Sequence, residues 1–151
     1  MNILVLYKDD SWYTRNTINE HIQSFKKYAE NTRVHYFNVH KKIPKFLKKI
    51  PYDGIILHTT FLAQRYHLNN EKWHTYTEGI GQLSGYKVAL PQDDYYDTDK
   101  LCTLFKEHNV ETVFTILPEK EQYYNAYPPE KSGIKHYIPV LTGYIDRKSV
   151  V

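Results

Sequence analysis

Short apolar runs alternate with longer amphipathic stretches along the whole of this 151-residue chain, and that alternation leaves few folds open. Ile3-Leu4-Val5-Leu6-Tyr7 is apolar without a break, as expected of a strand covered on both faces. Ile18, Ile22, Phe25 and Ala29 then recur at helical spacings, behind Asn16 or Thr17 as the capping residue. Residues 33–39 form a second strand with a more polar face, which suits a place nearer the sheet edge. Residues 41–50 lead to a third strand over 54–58. A long helix over 70–83 closes on Ser84-Gly85, and residues 87–90 make strand four. A helix over 97–108 turns Leu101, Leu104 and Phe105 inward, and strand five covers 113–117. A short helix over 119–127 and a sixth strand over 136–141 complete the pattern.

Repeated strand–helix–strand passages demand right-handed crossovers and a parallel sheet. The expected fold is therefore α/β: a doubly wound, mostly parallel, six-stranded Rossmann-like sheet with helices on both faces. The expected strand order is 3-2-1-4-5-6, reversing between strands one and four. Pro139 confines the last strand to an edge. No linker, repeat or low-complexity tract divides the chain, so residues 1–151 are expected to form one domain. A chain of this length buries roughly 70% of its extended surface and needs no staples. The single cysteine, Cys102, cannot pair internally, which fits a reducing compartment. The start of the chain does not have the build of a signal peptide, and no apolar run approaches the ~18 residues of a membrane span. The expectation is a soluble, cytoplasmic protein.

In such a sheet, ligands bind beyond the carboxyl ends of the strands. Four segments reach that rim: 8–15 after strand one, His58-Thr59-Thr60-Phe61 with Arg65 after strand three, Pro91-Gln92-Asp93-Asp94-Tyr95 after strand four, and Thr142-Gly143-Tyr144 after strand six. Three of the four carry groups able to hydrogen-bond hydroxyls or exchange protons. The 15 tyrosines offer flat apolar faces with a hydroxyl, suited to sugar stacking and to half-buried packing alike.

Several familiar sites are excluded. The turn after strand one, Lys8-Asp9-Asp10, lacks the glycines a pyrophosphate requires, and Gly79-Ile80-Gly81 follows a helix rather than a strand. No P-loop is present. A phosphorylated receiver domain needs an aspartate ending strand three and a lysine ending strand five, where this chain has His58 and Pro118. No metal site is expected: His67 and His74 are poorly spaced, and Asp93, Asp97 and Asp99 lack the glycine and glutamate of a calcium loop. Glu111 and Glu119 have the spacing of a paired-glutamate motif but are separated by a strand. No Gly-x-Ser-x-Gly elbow occurs. The net charge of +3 is mild and no basic run accompanies a known nucleic-acid module, so no nucleic-acid partner is expected. In 41–50, Ile43, Phe46, Leu47 and Ile50 form one helical stripe among Lys41, Lys42, Lys45, Lys48 and Lys49. Peripheral membrane contact is the minor expectation there, and a crossover helix packing its stripe on the sheet is the major one.

The segments 52–58, 85–95, 113–117 and 141–146, above all Pro91-Gln92-Asp93-Asp94-Tyr95, resemble the N-terminal domain of bacterial GT-B glycosyltransferases of the polysaccharide-type and CgeB-like group. The resemblance implies the acceptor-side half of an enzyme moving sugar from a nucleotide-sugar donor to a glycan or cell-surface acceptor. It implies that the C-terminal donor-binding domain lies outside these 151 residues, that no cofactor is held by this half, and that the chain alone is inactive. His58, Asp93 and Asp94 are the residue types able to accept a proton from the acceptor. Asp10, Trp12, Arg15, Thr59, Thr60, Arg65, Gln92, Tyr95, Thr142 and Gly143 are candidate substrate-binding residues. The alternative is a non-catalytic Rossmann-like binding or regulatory module that pairs with a partner chain, or dimerises through the edge near strands five and six.

Overall fold

A computed structural model describes residues 1–10 and 16–141. Six strands form one sheet: β1 (Asn2–Tyr7), β2 (Arg33–Asn38), β3 (Gly54–Leu57), β4 (Tyr86–Ala89), β5 (Thr112–Thr115) and β6 (His136–Pro139). Every neighbouring pair is parallel. The α/β fold with its wholly parallel sheet is as the alternation requires.

The strand order corrects the expectation. It is 2-1-3-4-5-6, so β1 lies between β2 and β3 and the chain reverses between those two neighbours of the first turn. The reason is burial. Ile55 and Leu57 of β3 are fully buried, whereas no residue of β2 is. A strand with a polar face tolerates one neighbour and an apolar one needs two, so β2 takes the edge. Pro139 ends β6 at the opposite edge, where its missing N–H costs nothing.

The helices are α1 (Asn16–Tyr28), α2 (Thr59–Leu62), α3 (Asn70–Thr77), α4 (Thr98–Glu107), α5 (Lys120–Ala126) and α6 (Pro129–Ser132). Right-handed crossovers put α1 on one face of the sheet and the later helices on the other. The packing agrees. Leu4, Leu6, Ile55, Leu57, Ala89 and Val113 point into one continuous core with Phe61, Tyr76, Leu101 and Phe105. Val5 and Ile22 are equally buried but lie outside that cluster, between the sheet and α1.

Several boundaries differ from the sequence pattern. Asn16 and Thr17, expected as caps, are already helical. The helix begun at Asn70 stops at Thr77 because Gly79 adopts φ 92°, and a short 3-10 turn (Ile80–Gln82) follows. Residues 41–50 do not make an α-helix; only a 3-10 turn (Lys45–Lys49) forms, behind Pro44.

Gly85 immediately precedes β4 with φ 98°, and a Cβ there would stand 2.7 Å from the Tyr52 carbonyl oxygen. Gly85→Ala is expected to lose ~2 kcal/mol of stability, from left-handed strain plus the clash with backbone. Urea unfolding measures it; a loss under about 0.5 kcal/mol would contradict the close approach.

Candidate functional site

The carboxyl rim holds an open cavity of about 250 Å³. Its floor is the α1 face of the sheet, contributed by Leu90, Phe114, Ile116 and Val140. Its polar rim is Thr17 and His21 from α1, His58, Thr59 and Thr60 from the end of β3, and Gln92 after β4. A greasy floor under a few polar groups is the usual composition of a small-ligand pocket.

His58 and His21 form its core. His58 is the residue before α2, and its Nδ1 accepts from the backbone N–H of Thr60 at 3.1 Å, capping that short helix. The Thr60 hydroxyl accepts from Lys8 N–H at 3.1 Å and so is free to donate to the same Nδ1, at 2.9 Å. Two donors leave Nδ1 no room for a hydrogen. The His58 proton is thereby assigned to Nε2, which stands 2.8 Å from His21 Nδ1 and donates to it. His21 must then carry its own proton on Nε2. Phe25 packs edge-on against both rings.

Electrostatics keeps this pair neutral. Burial first, and the neighbouring His21 second, bring the His58 imidazole down from 6.5 to about 3. Burial likewise lowers His21. A neutral pair in this tautomer offers an N–H donor at His21 and no free base.

The other expected site residues divide. Thr59, Thr60 and Gln92 line the cavity with His58. Thr59 donates its hydroxyl to the Leu90 carbonyl at 2.7 Å, leaving its oxygen lone pairs toward a ligand. Asp94 and Arg65, expected respectively to accept a proton and to bind substrate, are buried, hydrogen-bonded within the fold, and absent from the cavity lining. Asp94 accepts from Thr115 Oγ1 at 2.8 Å, from Ile116 N at 3.0 Å and from the Tyr127 hydroxyl. Burial raises its carboxyl, and those three hydrogen bonds oppose the shift. Arg65 donates to the carbonyls of Leu62, Gln92, Asp93 and Tyr96 and to the Tyr66 hydroxyl. Both therefore hold the 92–96 loop in place. Asp93 and Tyr95 are exposed on that loop, Asp93 with φ 58°, and neither lines the cavity. Asp10 is exposed and paired with Lys8. Trp12, Arg15, Thr142 and Gly143 lie outside the described residues. His58 itself reaches a ligand only through His21, since both its ring nitrogens are engaged.

His21 is the cavity-lining residue that the sequence pattern passes over. It falls three positions after Ile18 and four before Phe25, on the inward stripe of α1, and an imidazole on such a stripe is the available signal. Among the described residues no group of three or more histidine, cysteine, aspartate or glutamate side chains could hold a metal ion. No described helix is long and apolar enough to cross a membrane.

Two expectations follow. Nitrogen-15 NMR at pH 7 should show both His21 and His58 protonated at Nε2 only; an Nδ1-protonated His58 would break the assignment. Stability should also fall with acid. The unfolded chain's imidazoles take up protons below about 6.5 while the folded pair refuses them, so stability is complete above that pH and drains as pH falls toward 3. The His58 share is roughly 2 kcal/mol between pH 7 and pH 5. His58→Asn keeps a capping acceptor for Thr60 N–H and should flatten this slope; urea midpoints at the two pH values measure it, and an unchanged slope would remove His58 from the account.

No family model, curated protein or solved structure matches the chain.

Proposed function

We propose that this cavity is the acceptor pocket of a glycosyltransferase of GT-B type, in which the nucleotide-sugar donor is carried by a companion unit facing the same rim. The observation that carries the reading is the layout of the pocket: Leu90, Phe114, Ile116 and Val140 below, with Thr17, Thr59, Gln92 and His21 above. A sugar ring has one C–H face that packs on apolar carbon and an edge of hydroxyls that exchange hydrogen bonds, and the two layers suit those two surfaces. The neutral His21 N–H donates to an acceptor oxygen, Thr59 and Gln92 orient neighbouring hydroxyls, and the floor fixes the ring plane. The contribution is positioning: an acceptor hydroxyl held in line with an incoming sugar carbon converts an encounter into a near-unimolecular step.

The His21–His58 pair does not take the acceptor proton, because His58 Nδ1 is blocked by Thr60 and cannot relay it. The proton acceptor, where the reaction requires one, comes from outside this pair. The same observation favours a second reading, a non-catalytic binding module, since Arg65 and Asp94 are likewise consumed within the fold.

Titration of the chain with monosaccharides and short glycans, followed by amide NMR, tests the proposal. Saturable shifts confined to Thr59, Gln92, Phe114 and α1 are expected for at least one hydroxylated ring. Gln92→Ala or His21→Ala should weaken that binding about fivefold each, the worth of one hydrogen bond. Sugar transfer from a nucleotide sugar by the 151-residue chain alone would overturn the half-site reading. Glycan binding without any transfer when a donor-binding unit is supplied would favour the module.

A further inference from the structure

The segment between β2 and β3 is built unlike the other connections. Its four apolar residues were expected to pack on the sheet together, but only Ile43 and Leu47 are buried. Phe46 is 55% exposed and Ile50 is 37% exposed. The 3-10 turn explains the split. With three residues per turn, Leu47 points inward while Phe46 and Lys49 eclipse each other on the outer side. The Phe46 ring approaches Phe37 edge-on at 6.0 Å.

Along this stretch of sequence the charge is all of one sign. Residues 31–52 contain Arg33 and the five lysines of 41–49 but no aspartate or glutamate. Lys41, Lys42, Lys45 and Lys49 are exposed, and Lys48 lies against Gly79. Among the described residues none of the five lysines is in an ion pair. An exposed phenylalanine, with a partly exposed isoleucine and lysines on flexible stems close by in sequence, is complementary to an interface that is apolar inside and anionic outside.

We propose that residues 41–50 seat this protein on an anionic phospholipid surface, with Phe46 and Ile50 entering the headgroup–acyl boundary and Lys41, Lys42, Lys45 and Lys49 meeting the phosphates. Lipid is favoured over nucleic acid because an aromatic ring stands exposed among the lysines, and because lysines act as point charges without arginine's bidentate fork. This inference stands apart from the role of the cavity.

Sedimentation of the full chain with vesicles of pure phosphatidylcholine, and with equimolar phosphatidylcholine and phosphatidylglycerol, tests it. The expected result is binding to the anionic vesicles only, weakened by high salt. Lys45→Glu combined with Lys49→Glu should lower partitioning at least tenfold, and Phe46→Ser about fivefold, with circular dichroism unchanged. Failure of the native chain to bind anionic vesicles would overturn the proposal. So would equal binding to both vesicle types, equal binding by the double lysine variant, or tight binding to single-stranded RNA without vesicle binding.

Discussion

Three hydrogen bonds in series join the first strand to the first helix through the end of the third strand. Lys8 N–H donates to Thr60 Oγ1, the Thr60 hydroxyl donates to His58 Nδ1, and His58 Nε2–H donates to His21 Nδ1. The chain crosses the gap between β1 and β3, where the winding of the sheet reverses and where an open crevice would otherwise form. Each bond sets the direction of the next, so the tautomer of His21 is decided by a backbone amide two residues beyond His58. Placement of α1, closure of the crevice and the chemistry of the cavity wall are thus one arrangement.

Behind that wall sits a second polar cluster of a different kind. Arg65 gathers carbonyls from Leu62 and from the loop at Gln92, Asp93 and Tyr96, while Asp94 reaches across to β5 and Tyr127. Among the described residues no buried side-chain nitrogen or oxygen lacks a hydrogen-bond partner. That complete satisfaction is what makes a buried guanidinium and carboxylate tolerable. The loop that presents Gln92 to the cavity is therefore rigid by construction, while its charged residues are spent on the rigidity.

The sheet, its parallel sense and the edge place of β6 are legible in the sequence, because burial on two faces leaves unbroken apolar runs and Pro139 cannot serve a central strand. The order of strands was not read correctly, although the clue was present: β2 alternates polar residues such as Arg33 and His35, and Gly54–Leu57 does not. An order placing strand three at the edge contradicts its own composition. The helix after Asn70 was drawn too long because Gly79 looked tolerable within a helical stripe, and only its positive φ ends the turn. At the rim, strand-end position alone brings His58, Thr59, Thr60 and Gln92 to one cavity. Asp94 and Arg65 were placed on the ligand side because sequence tells which loop a charge belongs to, not whether it faces in or out. His21 was passed over because an imidazole on an apolar stripe reads as packing until its partner is known.

The unequal covering of the two sheet faces has a dynamic consequence. One face is sealed by a continuous cluster running from Leu47 to Ile134. On the other, among the described residues, α1 covers Val5, while Ile138 and Val140 of the β6 end are exposed. Local opening is cheapest where the fewest apolar contacts must be broken, so among the described elements the α1 side is the one expected to separate from the sheet first. The cavity lies on that softer side. Its volume can change without disturbing the main core, and a bound molecule would draw the layer together at a fraction of the cost of global folding.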